Sequence, residues 1–468
     1  MERELVKEIH EFLKNYGNYA DLYMLDFYIE KQWSSIPKQW QSFFESKKDK
    51  IDDIALYILD TTNNKFDNEA PTTLLKIKSD IKNILGTLFT DKTFYQTGKC
   101  DFSKIPKPLL TKIKQKKLHE LQYLVPLIKH LYTVSNSSFN QIVDYGAGIG
   151  HLSRILAYCL KDYVDVEIST VEGNDKFVEK SIELDKIFEN KLKFLKKEVS
   201  NFKIERESKL ISDNNDFSSQ NGNISCKKLI LGLHTCGDFA STLIKHYYIN
   251  ADAAALVNVG CCYHKLNNGS DMKYRQIYDA TEDKVHENYS YPMSNEKDIF
   301  PPLSYAAREL ACHGLKQFKE KLNNSKNLHL SFKINLFRAK LEQLIFSITS
   351  EKKYRHLGFH SVPYSDNLSF EEYIEKALIN QEEIIDKINL FKRENYEKFI
   401  EMIQININDI WKIFILYVIR LSIAPIIEVV ILIDRIIFLK ERGINSYLID
   451  LFDQRISPRC YAIVSFKK

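Results

Sequence analysis

The sequence predicts an α/β fold built on a mostly parallel, doubly wound sheet. Three observations carry that expectation. Short apolar runs alternate with helix-length amphipathic runs between residues 141 and 260. The first of these runs ends in an acid and a glycine-rich turn, IVDYGAGIG (142–150). Two further strand-like runs, NSYLIDLFD (445–453) and RCYAIVSFKK (459–468), follow a long apolar helix at the other end of the chain. Strands separated by helices of this length imply right-handed crossovers and parallel pairing.

Taken in order, the first ~100 residues show apolar spacing of i, i+3, i+4 and an aromatic-rich stretch at 19–44, so a helical N-terminal region is expected over 1–110. TKIKQKKLHELQYLVPLIKHLY (111–132) reads as one helix running from basic to apolar. The core is expected over 111–264. It begins with a strand at 141–146, a helix at 151–163, a strand at 166–173, a helix at 175–188 and a third strand at 191–199. Residues 203–228 are polar and turn-rich and read as a surface insertion. KLILGLH (228–234), a helix from Asp238 to about Tyr248, and AAALVNVG (253–260) resume the alternation. Residues 265–410 read as a large, mostly helical insertion. Residues 411–468 supply the last helix, at about 421–442 and stopped by Gly443, and the two closing strands. The segment 413–439 is apolar enough to attract attention as a membrane span. It carries Arg420, Glu428, Asp434 and Arg435 with Pro425 in its middle, so a buried core helix is expected instead.

A chain of 468 residues exceeds what one core usually fills, and 44% hydrophobic residues suffice for a folded protein. The formal charge of +4 excludes a strongly basic nucleic-acid coat but leaves room for a local basic patch. Eight cysteines without a disulfide rhythm, after a charged amphipathic start, imply a reducing compartment, cytosol or nucleus.

The glycine turn sits after a strand and opens a helix, the context in which such a motif is informative. Gly146 is expected to allow the tight exit from the strand, Gly148 to let a ligand lie against bare backbone, and Gly150 to let the helix pack near the sheet. The helix N-terminus favours an anionic group. Glu172, at the end of the second strand, is placed to accept hydrogen bonds from adjacent ribose hydroxyls. The ligand these features fit is a ribose-bearing cofactor.

The nicotinamide fingerprint requires G-x-G-x-x-G. Here the spacing is G-x-G-x-G, led by Asp144. That form resembles motif I of class I S-adenosylmethionine-dependent methyltransferases, whose Rossmann-like sheet has seven strands and a terminal hairpin. The resemblance implies S-adenosyl-L-methionine as cofactor. It places Asp144 near the methionine amino group, Glu172 on the ribose and Glu198 near the adenine.

GLHTCGD (232–238) and NVGCCYHK (258–265) occupy the ends of neighbouring strands, where reacting groups gather in such sheets. They are expected to bring His234, Cys236, Cys261, Cys262, Tyr263 and His264 together. The favoured reading is a polar acceptor pocket with His234 or His264 as base. H-x-C and C-x-x-H are also ligand-like spacings, but adjacent cysteines seldom both bind one tetrahedral zinc, so no metal is expected. A third reading makes Cys236 a thiolate that attacks a pyrimidine ring before methylation. The plainest has the cysteines packing strand ends and the histidines capping carbonyls. Enzymes that methylate exocyclic adenine nitrogens carry Asp or Asn, then Pro-Pro and an aromatic after the fourth strand. This chain has His234-Thr235-Cys236-Gly237 there.

Eight stretches, KKLHEL (116–121), IVDYGAGIGHLSR, VEGND, LGLHTCGD, VGCCYHKL, FPPLSYAARELACHG (300–314), LSIAPIIEVVILIDRIIFLKE and LFDQRISPRC (451–460), resemble the methyltransferase-like protein 25 family, also named for a ribosomal RNA adenine dimethylase domain. The chain departs from it at Ile113-Lys114-Gln115, where the family tends to have Met-Ser-Pro. The CGD and CCYH pieces also resemble transfer-RNA acceptor-stem 2′-O-methyltransferases. These likenesses imply a methyltransferase with RNA as the favoured acceptor. Basic residues of 104–117 and of the 265–410 insertion are expected to offer a phosphate-contacting face, with aromatics for stacking. A protein side chain is the alternative acceptor. A fold that only binds a partner, for instance through the helices of Trp33 and Trp40, is the non-catalytic alternative.

Overall fold

The computed structural model describes the chain apart from Met1 and residues 89–96, 135–138, 161–165, 195–203, 212–225, 270–289, 297 and 468. It forms two compact units. One joins residues up to Leu85 with Leu303–Ile427. The other comprises Gly86–Asn268, the described part of 286–302 and Glu428–Lys468. The N-terminal helices and most of the late insertion, which the sequence offers as separate regions, are therefore one body.

In the second unit, helix α1 (Gln115–Val134) leads into strand β1 (Gln141–Tyr145) and helix α2 (His151–Cys159). Strand β2 (Glu167–Glu172), helix α3 (Asp175–Phe194) and strand β3 (Ile204–Ser208) follow. Then come β4 (Lys228–Cys236), α4 (Asp238–Ile249) and β5 (Ala253–Cys261). The part of α5 (Asp409–Lys440) from Glu428 onward, β6 (Asn445–Asp450) and β7 (Tyr461–Phe466) complete the unit. The sheet order is β3-β2-β1-β4-β5-β7-β6. The first five strands pair in parallel, and β7 is antiparallel to both β5 and β6. This is the class I methyltransferase topology. The switch point lies between β1 and β4, where strand order reverses, the place at which doubly wound sheets bind their ligands. Both β4 and β5 are buried along most of their length, as strands covered on two faces must be.

A strand pairs with β2 at 204–208, within the stretch read as an insertion; of the run 191–199 expected to form the third strand, 191–194 are helical and the rest lies outside the described residues. KLKF continues α3 because Phe188 and Leu192 extend the buried stripe of that helix by one turn. Glu198 lies outside the described residues.

Helix α5 begins at Asp409, twelve residues before the expected start. Of its most apolar 18-residue window, 89% is buried by the chain itself. Three of its charges, Arg420, Glu428 and Asp434, are buried with hydrogen-bond or ion-pair partners. Arg420 donates to the Ala20 and Ala306 carbonyls and pairs with Glu309 at 2.9 Å in the first unit. In the second, Glu428 pairs with Arg459 at 2.8 Å, and Asp434 accepts from the backbone N–H of Met293 and Ser294 at 2.8 and 3.0 Å.

The first unit is helical among the described residues. One part of its core gathers Phe337, Leu341, Tyr373, Ile384 and Phe399 from the late helices. Trp33 meets Trp411 edge to face, tying N-terminal and late segments.

Candidate active site

Two neighbourhoods of the second unit carry the predicted residues. The first is the glycine turn after β1. Gly148 has φ +57°, and a Cβ there would meet nothing within 4 Å, so its backbone faces open space as a ligand approach requires. Its N–H donates to Glu172 Oε2 at 2.8 Å, while Oε1 of Glu172 accepts from the Asn174 N–H at 3.0 Å. Each carboxylate oxygen keeps a second lone pair for a ribose hydroxyl. Gly150, at φ +74°, makes room for something the sequence did not announce. A Cβ there would lie 2.4 Å from Arg206 Nη1, a guanidinium from β3 that grips Asp185 and donates to Ser153 Oγ at 2.9 Å.

Asp144 is the penultimate residue of β1 and is 2% exposed. One of its carboxylate oxygens has no hydrogen-bond partner among the described residues. Burial pushes its pKa up to about 7, against the opposing pull of Lys117 and Arg206. A buried carboxylate with a vacant acceptor, beside bare backbone at a helix N-terminus, fits a ligand that carries a cationic amine. The residues present therefore fit S-adenosylmethionine.

The second neighbourhood is the ends of β4 and β5. The β4–β5 register slips between Leu233 and Thr235, and His234 sits at φ +67° within the slip. That backbone turn presents His234 Nε2 to Glu120 Oε1 of α1 at 2.8 Å. Glu120 is 1% exposed and also accepts from Ser457 Oγ at 2.8 Å, with Lys116 and Lys117 ammonium groups at 3.6 and 3.8 Å. Burial raises its carboxyl, but the His234 hydrogen bond, the charges of His234 and Lys117, and the Ser457 hydroxyl outweigh it and hold the pKa at about 2. Glu120 is thus ionised. Nε2–H of His234 donates to it, and in the neutral ring Nδ1 carries the lone pair. Lys117 stands under the charges of both Glu120 and Asp144, which links the two neighbourhoods. Next to it, His119 Nε2 accepts the Asp453 N–H at 3.0 Å.

Cys236, Cys261 and Cys262 come together. Their Sγ atoms are 3.2, 3.4 and 3.7 Å apart. The Cys261 thiol donates to Cys236 and, despite partial burial, lowers it to about 6, with help from Cys262, Lys265 and His234. Cys261 is pushed upward in return.

Tyr263 does not join them. It is 1% exposed, and its hydroxyl donates to Glu428 Oε1 at 3.0 Å in a buried group with Arg435 and Arg459. His264 is half-buried at the start of the turn after β5. The residues not foreseen as part of the reaction centre are Glu120 and Ser457. KKLHEL and LFDQRISPRC were legible as motifs, but nothing in one sequence pairs a glutamate with a histidine 114 positions away.

Residues 116–269 match a family model described as a methyltransferase domain. Over 248 residues the chain is 30% identical to the probable methyltransferase-like protein 25 of Mus musculus, covering 51% of this chain and 37% of that one. The Homo sapiens protein of the same name is 29% identical over 250 residues, with the same shares covered. Residues 116–269 are thus a methyltransferase domain, and the chain is similar to the methyltransferase-like protein 25 proteins over about half of its length. It spans 37% of the length of these curated relatives. Among solved structures, the magnesium protoporphyrin IX methyltransferase of Synechocystis PCC 6803 is 16% identical at a TM-score of 0.21, covering 38% of this chain and 71% of that one. A likeness at that level adds nothing to the topology.

Proposed function

We propose that the chain is an S-adenosylmethionine-dependent methyltransferase with a macromolecular acceptor, RNA in preference to protein. The observation that carries the donor is Asp144, a buried carboxylate with a vacant acceptor at the switch point of the sheet. When bound, the donor contributes an electrophilic methyl group on a sulfonium. In this reading Asp144 holds its ammonium, Glu172 accepts from its ribose, and the Gly148 backbone lies against it.

His234 takes the acceptor proton at Nδ1 while Glu120 fixes the ring and stabilises the imidazolium. This is the arrangement a hydroxyl acceptor needs, because an alcohol is a weak nucleophile until its proton has somewhere to go. The missing Asp/Asn-Pro-Pro-aromatic run argues against adenine N6 as the acceptor. RNA is favoured by the segment leading into α1. Lys99, Lys104, Lys107, Lys112, Lys114 and Lys116 are exposed there with Asp101 as the one acid before Glu120, and their row ends beside Glu120. Closely spaced cations of one sign suit a phosphate backbone.

The test is incubation with methyl-labelled donor and extract from cells lacking the protein, followed by ribonuclease or protease. Label released by ribonuclease is the expected result. Label that stays with protein overturns the RNA preference. Failure to bind donor in calorimetry, or binding untouched by Asp144→Asn and Glu172→Ala, overturns the donor site.

A further inference from the structure

We propose that Cys236, Cys261 and Cys262 bind one zinc(II) ion through three thiolates, leaving a fourth coordination position for water or a substrate atom. The sequence argues against this, because successive strand residues point to opposite faces and two adjacent cysteines should diverge. The structure removes the objection. Cys262 sits in the left-handed region at φ +51°, which a residue with a Cβ rarely adopts. The turn brings its sulfur back to 3.7 Å from that of Cys261. Cys236 reaches the same point from the end of β4, where it is directly paired with Cys261 in the ladder.

The distances suit the ion. Zinc bonded to sulfur at about 2.3 Å in a tetrahedron separates its sulfurs by about 3.8 Å. The observed 3.7 Å already fits, while the 3.4 and 3.2 Å separations need Cys236 Sγ to move out by about half an ångström. An ion at about 2.3 Å from all three sulfurs would sit roughly 1 Å out of their plane, so the three form one face of a tetrahedron whose fourth corner is open. No other group of three or more His, Cys, Asp or Glu among the described residues converges in this way. Cys236 is exposed, so the cluster is reachable from solvent.

A second, independent feature points the same way. Arg435 is 1% exposed, and none of its three guanidinium nitrogens has a hydrogen-bond partner among the described residues. It packs against Gly260, immediately before Cys261, where a Cβ would lie 2.7 Å from Nη1. The groups that face it are the carboxyl groups of Asp434 and Asp238 and two uncharged groups, the Tyr263 hydroxyl and the Cys261 thiol. As the ion binds, the thiols release their protons to solvent, and three thiolates on a divalent ion leave one net negative charge. That charge would sit near an arginine whose guanidinium otherwise has no hydrogen-bond partner among the described residues.

The experiment uses the full chain, purified without chelator under reducing conditions, and reads metal by elemental analysis. About one zinc per chain is expected, falling roughly tenfold or more in Cys236→Ser and Cys262→Ser. Cobalt(II) added to chelator-treated wild-type chain should give an intense sulfur-to-metal charge-transfer band at one equivalent. That measurement needs no variant to fold. Metal-free protein without the cobalt band, zinc retained in both variants, or a Cys236–Cys261 disulfide found by mass spectrometry overturns the site. None of these readings depends on methyl transfer, so the metal assignment and the donor reading fail separately.

Discussion

Asp144 is the residue on which folding and binding disagree. With its folded pKa raised from 3.8 to about 7, its cost to folding is absent below the ordinary value, grows as pH rises between the two, and is complete above about 7. Asp144→Asn removes that cost. The variant's stability should match the wild type as pH falls toward 4 and exceed it at pH 8 by on the order of 2 kcal/mol, measured by thermal melts without ligand. Donor affinity should move the other way. It should be weak in the variant and, in the wild type, should rise as pH increases toward about 7 and the carboxylate forms. Stability held back at a binding residue is a common trade. His234 and Glu120 make a different prediction. His234→Ala should lower kcat by about 10²–10⁴ with donor affinity intact. Glu120→Gln keeps the volume and a hydrogen-bond acceptor but removes the negative charge facing the ring, so it should lower kcat by less than His234→Ala with donor affinity intact. A merely structural role for Glu120 would lower stability and leave kcat of the folded variant unchanged.

At the scale of elements, β3 and α2 are joined through one guanidinium. Arg206 is held by Asp185 and Ser153 and cannot swing aside for a Cβ at Gly150, where φ is also positive. Gly150→Ala should therefore destabilise by about 2 kcal/mol or more in urea unfolding, and should weaken donor binding as the helix N-terminus shifts. Gly148→Ala shares the backbone strain but has open space for its Cβ, so the difference between the two isolates the Arg206 clash. Helix α5 shows how a very apolar element is built into a protein core with charges in it. Asp434→Ala would leave the buried Met293 and Ser294 N–H groups without an acceptor, and should cost about 2–4 kcal/mol by the same urea measurement. The helix's apolar pattern was legible from composition. Its early start at Asp409 was not, because nothing local stops a helix there, and the residues before Arg420 pack in the other unit.

At the scale of the molecule, a near-neutral chain presents a locally basic edge. If the lysines of 99–116 pair with phosphates, binding of structured RNA should weaken with salt. Lys104→Ala with Lys107→Ala and Lys112→Ala should then lower the slope of log K against log salt by roughly one for each lysine–phosphate pair removed. Binding that ignores salt would remove the phosphate footprint.

The sequence by itself determined the class of sheet, the glycine turn with Asp144 and Glu172, and the burial of the long apolar helix. Each is written in residues close together in the chain, where periodicity and turn chemistry act. The tertiary structure alone decided the position of β3, the pairing of Glu120 with His234, and the meeting of three sulfurs. The first of these depends on which run finds β2 as a neighbour. The second depends on a helix laid across strand ends from a distant part of the chain. The third depends on left-handed backbone at Cys262, which overrides the two-residue alternation of a strand and which no pattern in a single sequence announces.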